Sequence, residues 1–225
     1  MTDPLSFRIK KKIDRYIHGP IVALIILPFF LILKILPFKI SSLICGSLVY
    51  LIAPFTKYQK RVLNNLNIAF PKKKEAEKIK ISKRFWFNFG QIIGELPHID
   101  KIISSKKVLI TGHKKIQKGP AILIGAHLAN WEFLLRVGEM SGRRVSFVYR
   151  PINNWILNKL QFSRNSKINA DFFKKGRAAA IGMANKLKKG EVIGLTNDQI
   201  LREGIMVPFF GTKTPTPQAV SYTHL

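Results

Sequence analysis

Three kinds of hydrophobic pattern succeed one another along the chain. The first is continuous. Ile21 to Leu36 (IVALIILPFFLILKIL) is almost wholly apolar, with Pro28 and Lys34 as its interruptions. A second apolar run, Ile40 to Phe55, is broken by Gly46 and ends at Pro54. The second kind is helical. In Lys57 to Pro71, Val62, Leu63, Leu66, Ala69 and Phe70 recur at helical spacing. Lys72 to Leu96 begins KKKEAEKIKISKR and passes into Phe85-Trp86-Phe87-Asn88-Phe89, which predicts a helix with a cationic face and an aromatic face. The third kind is short and β-like. Ala121 to Ala126 has the composition of a fully buried strand, and Val145 to Tyr149 and Glu191 to Leu195 also read as strands. Lys107 to Ile110 reads as a further short strand, and Arg177 to Lys189 as a helix with Gly190 at its C-terminal cap. Strands alternating with helices from Ala121 onward predict an α/β fold with a largely parallel sheet flanked by helices.

The two continuous runs admit three readings: a signal peptide, a membrane anchor or a buried core helix. The apolar core is long for a signal peptide, and no small-x-small cleavage site leads into a polar mature start. We read residues 1–56 as a basic segment followed by an N-terminal helical membrane anchor, spanning or lying in the interface. Lys34 would snorkel to the headgroups. Residues 57–225 then form the second unit.

Charge narrows the partners. Lys and Arg number 38 against 12 Asp and Glu, a formal net charge of +26 in 225 residues. Such an excess predicts polyanionic partners: nucleic acid, anionic membrane, phosphorylated lipid or an acidic protein. Basic residues beside Phe85 to Phe89 could suit nucleic acid, but aromatics as core with lysines on a solvated or membrane-facing side explain them more simply. The single cysteine, Cys45, excludes an intrachain disulfide and a cysteine metal cluster, and its apolar setting reads as a small buried hydrophobe.

The candidate chemistry lies in Ala121 to Leu135, AILIGAHLANWEFLL. Asn130 suits a helix N-cap, and Glu132 falls in the first turn, where the helix dipole favours a negative charge. On one ideal helix, His127 and Glu132 would stand about 140° apart. With His127 in the loop before the helix, they can meet. A carboxylate on one imidazole nitrogen fixes the tautomer and raises the basicity of the other, which makes a general base for a hydroxyl. The alternative is a solvated histidine in a turn with Glu132 as a dipole partner. Arg150-Pro151 follows Val145 to Tyr149, so Arg150 stands at a strand end, where open α/β folds bind ligands. A guanidinium there suits a phosphate or a carbonyl oxygen. Asp198-Gln199 follows the Glu191 to Leu195 strand, and Asp198 could order a loop, orient a donor or simply cap. Val207-Pro208-Phe209-Phe210-Gly211 and the Thr-Pro stretch after it read as an apolar loop with a glycine turn.

These segments carry a resemblance. Gly125-Ala126-His127-Leu128-Ala129-Asn130-Trp131-Glu132 resembles the His-x4-Asp/Glu motif of the bacterial lipid A biosynthesis acyltransferases, the lauroyl and myristoyl transferase family. Arg61, Asn65-Leu66 and Phe70-Pro71 resemble the helix before that motif. Val148-Tyr149-Arg150-Pro151 with Asn153, Asp198-Gln199, and the Val207 to Gly211 segment are similar to three later family segments, in the same order. The resemblance implies a glycerolipid-acyltransferase-like fold and transfer of a fatty acyl chain to a hydroxyl of a lipid A precursor, in lipopolysaccharide biosynthesis. The donor would be a thioester on the phosphopantetheine of acyl carrier protein. His127 would be the general base and Glu132 would orient it. Asn130, Arg150, Arg164, Asp198 and Gln199 would bind substrate.

The resemblance implies no metal and no bound organic cofactor. It implies as partners an acyl carrier protein, a phosphorylated lipid acceptor and an anionic membrane, not nucleic acid, at the cytoplasmic face of the bacterial inner membrane. Family members continue for several strands and helices past this point, so it also implies that the C-terminal part is missing. Two other functions stay open: an acyltransferase for another glycolipid or glycerol phosphate, and a non-enzymatic basic membrane-bound binding protein.

Overall fold

The computed structural model describes residues 14–105, 108–109, 111–116, 118–152, 154–159, 168–196, 198 and 204–216. Its N-terminal part is helical: α1 (Gly19–Ile35), α2 (Phe38–Ile52), α3 (Lys57–Ala69), α4 (Glu75–Glu95) and α5 (Ile99–Ser104). Two helical stretches, Tyr16–Ile35 and Phe38–Phe55, are long and apolar enough to cross a membrane, by length and composition. Pro28 does not end α1, which continues to Ile35 and stops before Pro37. Gly46 does not break α2 either. It is a packing position: a Cβ there would come within 3.0 Å of Gln91 and Phe87 on α4.

Helix α4 lies along α2 at very close range. A Cβ on Gly90 would meet the Cys45 carbonyl oxygen at 2.3 Å, and one on Gly94 would meet that of Ser41 at 2.3 Å. The facing residues Ser41, Ser42, Cys45 and Gly46 are all buried, so Cys45 packs as the small hydrophobe its setting predicts. Behind this contact, buried His98 bonds through Nε2 to the Leu33 carbonyl at 2.8 Å and to Ser41 Oγ at 3.2 Å. That cluster ties α1, α2 and the start of α5 together. The lysine-rich α4 has buried Trp86 on its inner side, donating to Gln59 of α3 at 2.6 Å, while Phe85 is exposed.

The C-terminal part is a four-stranded parallel sheet in the order β1-β4-β2-β3, from β1 (Ala121–Gly125), β2 (Val145–Tyr149), β3 (Ala170–Lys174) and β4 (Val192–Thr196). Between β1 and β2 the chain forms a 3-10 helix, Trp131–Arg136, and α6 (Val137–Ser141), and between β3 and β4 it forms α7 (Arg177–Lys188). The α/β architecture with a parallel sheet is as the pattern predicts, and β2 has the predicted limits. Strand β1 differs in burial. It is an edge strand, and the face that carries Ile122 (38% exposed) and Ile124 (67% exposed) is uncovered. The other face, with Ala121 and Leu123, packs on the core of Val145, Phe147, Ala170 and Val192. Gly194 belongs to this packing, since a Cβ there would lie 2.2 Å from the Phe147 ring.

Ion pairs fasten the amino-terminal end of the sheet. Lys186 on α7 reaches Asp171 at 2.8 Å and Glu191 at 2.7 Å, and Arg144 also reaches Asp171. The bonds to Asp171 and Glu191 hold the Lys186 ammonium above its usual value, against its desolvation. Burial pushes the Asp171 carboxyl up, but hydrogen bonds from Lys186 and Arg144 outweigh it and hold it below the usual range. Arg143 donates to the carbonyls of Ile116, Gly119 and Gly190, which joins the loops at the starts of β1 and β4.

The stretch from Val207, read as a loop, is an antiparallel hairpin of β5 (Ile205–Phe209) and β6 (Thr212–Thr216). Phe210 and Gly211 form its two-residue turn, with φ of 48° and 74°. Positive φ at both central residues is what a type I′ turn requires. A two-stranded ribbon has outward positions where Pro208 and Pro215 lose no ladder bond. The strand read at Lys107 to Ile110 falls partly outside the described residues.

Candidate active site

Parallel strands end on one side, so β1, β4 and β2 deliver the loops after them to a single sheet edge. His127 comes two residues after β1, Asp198 two after β4, and Arg150 one after β2. Strand β4 is central, with Gly125 level with Thr196 on one side and Phe147 level with Gly194 on the other. His127 and Asp198 are therefore neighbours across one strand spacing. Arg150 stands two spacings from β1, about 10 Å at the backbone. Arg150 is exposed.

Asp198 places a carboxylate on the His127 ring. Its Oδ1 lies 2.8 Å from His127 Nδ1, and its Oδ2 accepts the His127 backbone N–H at 2.7 Å. One carboxylate thus orders the loop and orients the ring. With Nδ1–H donating, the ring lone pair is on Nε2, the atom a general base uses. Burial raises the Asp198 carboxyl, but the ring and backbone N–H groups of His127 outweigh it and hold it below the usual range. The Trp131 indole lies against the imidazole, ring centroids 5.2 Å apart.

Asn130 is the N-cap that its position predicts. Its Oδ1 accepts the Glu132 backbone N–H at 3.2 Å, and the Phe133 N–H bonds to its carbonyl. Glu132 sits in the first turn of the 3-10 helix, at its positive end. Ala129 has φ of 46°, in the left-handed region. That region costs a non-glycine residue about 1–2 kcal/mol. The strained residue tightens the loop between His127 and Asn130.

The N-terminal helices hold the same loop from the other side. Glu95, at the end of α4, accepts from Asn130 Nδ2 at 2.8 Å and from Ser42 Oγ of α2 at 3.2 Å. Asp100 of α5 pairs with Arg136 at the end of the 3-10 helix. Phe89 of α4 lies 6.3 Å from Trp131 between centroids. The sequence marks roles for His127, Asn130, Glu132, Arg150 and Asp198, but none for Glu95, Asp100 or Trp131, although Trp131 lies within the motif. Only the first-turn position of Trp131 is a local signal for any of these three. Arg164 and Gln199 lie outside the described residues. Among the described residues, no three His, Cys, Asp or Glu side chains group as a metal-binding set.

Fold and geometry define the class: an α/β protein with a carboxylate-backed imidazole at the carboxyl edge of its parallel sheet. Residues 9–225 match the family of bacterial lipid A biosynthesis acyltransferases, and the chain belongs to that family. No curated protein matches the chain.

Proposed function

We propose that this acyltransferase moves a fatty acyl chain from an acyl carrier protein thioester to a hydroxyl of a phosphorylated lipid A precursor, at the cytoplasmic face of the bacterial inner membrane. The His127–Asp198 pair carries the reading. Nε2 of His127 takes the proton of the acceptor hydroxyl as its oxygen bonds to the thioester carbonyl carbon. The tetrahedral intermediate then expels the thiolate, and the imidazolium returns the proton to sulfur. Asp198 holds the ring in the required tautomer, and Glu132 adds a second negative charge that favours the imidazolium. The Glu132 and Phe133 N–H groups are engaged by Asn130. Arg150 is therefore the candidate to stabilise the oxyanion or hold a substrate phosphate. The chemistry calls for no metal or organic cofactor beyond the donor's own phosphopantetheine. Residues 1–56 serve as the anchor and 57–225 as the catalytic unit. The net charge of +26 favours all three anionic partners, the carrier protein, the acceptor and the membrane surface.

The test is acyl transfer by the membrane fraction from a labelled acyl carrier protein to a tetra-acylated lipid A precursor. Wild type is expected to transfer, and His127→Ala to lose at least about 10²-fold in rate while keeping its membrane association. Transfer that needs a different donor or acceptor would overturn the substrate assignment. An active His127→Ala variant would overturn the mechanism.

A further inference from the structure

A groove lies on the α2–α4 pair toward the end opposite Ser42 and Glu95. It is open, about 680 Å³ in volume, and is lined by Ser47, Tyr50 and Leu51 of α2 and by Lys80, Lys83, Arg84 and Phe87 of α4. The residues fall at helical spacing on both sides, so each helix presents one stripe to the groove. Leu51, Tyr50 and Phe87 make it apolar, and three cations stand over it. Lys83 Nζ lies 6.0 Å from the centre of the Tyr50 ring. Lys80, Lys83 and Arg84 are exposed, and among the described residues none of them is ion-paired.

We propose that this groove binds the headgroup phosphate of an anionic glycerophospholipid of the surrounding bilayer. Three unpaired cations beside an apolar lining match a molecule with a phosphate at one end and hydrocarbon at the other. The position agrees. Tyr50 and Leu51 belong to the membrane-length stretch Phe38–Phe55, and next to them Ile52 is 60% and Phe55 91% exposed. Such side chains suit hydrocarbon, so the cations stand at the depth of the headgroups. The membrane-length stretch beside the groove favours a lipid over an acidic protein as its occupant. The lipid would clamp α2 to α4, the helices that hold Ser42 and Glu95, and so would steady the bonds that reach Asn130.

The experiment uses the full chain in nanodiscs of phosphatidylcholine alone or with phosphatidylglycerol. Wild type is expected to melt several degrees higher with phosphatidylglycerol. Lys80→Gln/Lys83→Gln/Arg84→Gln is expected to melt with wild type in the neutral discs and to lose most of that increment. Lys114→Gln/Lys118→Gln/Lys188→Gln removes the same charge from exposed positions elsewhere and is expected to keep it. Equal losses in the two triple variants would overturn the proposal in favour of diffuse attraction. It would be overturned equally if, in neutral discs, an acidic carrier protein or a phosphorylated disaccharide lipid produced the groove-dependent increment and phosphatidylglycerol did not.

Discussion

Two sets of contacts meet on the loop between β1 and the 3-10 helix, and they differ in kind. From the sheet comes Asp198, a charged group on the His127 ring, carried in just past the central strand β4. From the helices come Glu95, Asp100 and Phe89, which touch Asn130, Arg136 and Trp131. The sheet side sets where the proton sits on the imidazole. The helical side sets where the loop sits against the rest of the protein. A substitution on the sheet side should therefore change the chemical step, and one on the helical side should change placement and stability.

The sharpest break on the helical side is Gly90→Ala. Its Cβ would meet the Cys45 carbonyl at 2.3 Å, a backbone atom that cannot rotate away. Forcing α2 and α4 apart should cost about 1–3 kcal/mol, read as a lower melting temperature in detergent. A variant as stable as wild type would show that the close approach is not needed.

Glu95→Ala comes next. Losing the bonds to Asn130 and Ser42 should lower kcat about tenfold, the effect of roughly 1.4 kcal/mol on a barrier, with little change in KM. Glu95→Gln keeps a carbonyl acceptor for Asn130 and should recover part of the loss. A structural role alone would lower the melting temperature and leave the ratio of kcat to KM per folded molecule unchanged.

The smallest effect separates the sides by pH. Asp198 titrates below an ordinary carboxyl. Its hold on the loop is therefore complete above the unfolded value of about 3.9 and is lost as pH falls through the lowered one. Hydrogen exchange at the His127 amide should stay protected just below an ordinary carboxyl's pKa. Protection lost above that pH would mean that Asp198 does not hold this amide.

Much of this is legible along the chain, for identifiable reasons. Strand β2 combines β-branched and aromatic residues with a clear stop at Arg150-Pro151, and its limits match the pattern residue by residue. Asn130 acts locally, so its cap is readable. The sheet edge is readable too, because strand ends in a parallel sheet converge, and that puts His127, Arg150 and Asp198 together. The pairing at Nδ1 is not. Asp198 lies 71 residues from His127 and Glu132 only five, and spacing alone favours the nearer carboxylate. Glu95 lies 35 residues from Asn130 on a helix whose periodicity speaks only of packing. Ala121 to Ala126 reads as fully buried because composition cannot tell a strand covered on both faces from one covered on a single face. The hairpin is hidden by its prolines, which a two-stranded ribbon tolerates.

In the proposed mechanism everything turns on Asp198 orienting the His127 imidazole. The most direct measurement is kcat of Asp198→Asn at neutral pH beside Glu132→Gln, in the acyl carrier protein to lipid A precursor assay. The asparagine keeps the shape but removes the charge and no longer fixes the tautomer. The expected result is a fall in kcat of about 10²–10⁴ with KM nearly unchanged, larger than that from Glu132→Gln. Full activity in Asp198→Asn with an inactive Glu132→Gln would contradict it and would assign the orienting carboxylate to Glu132.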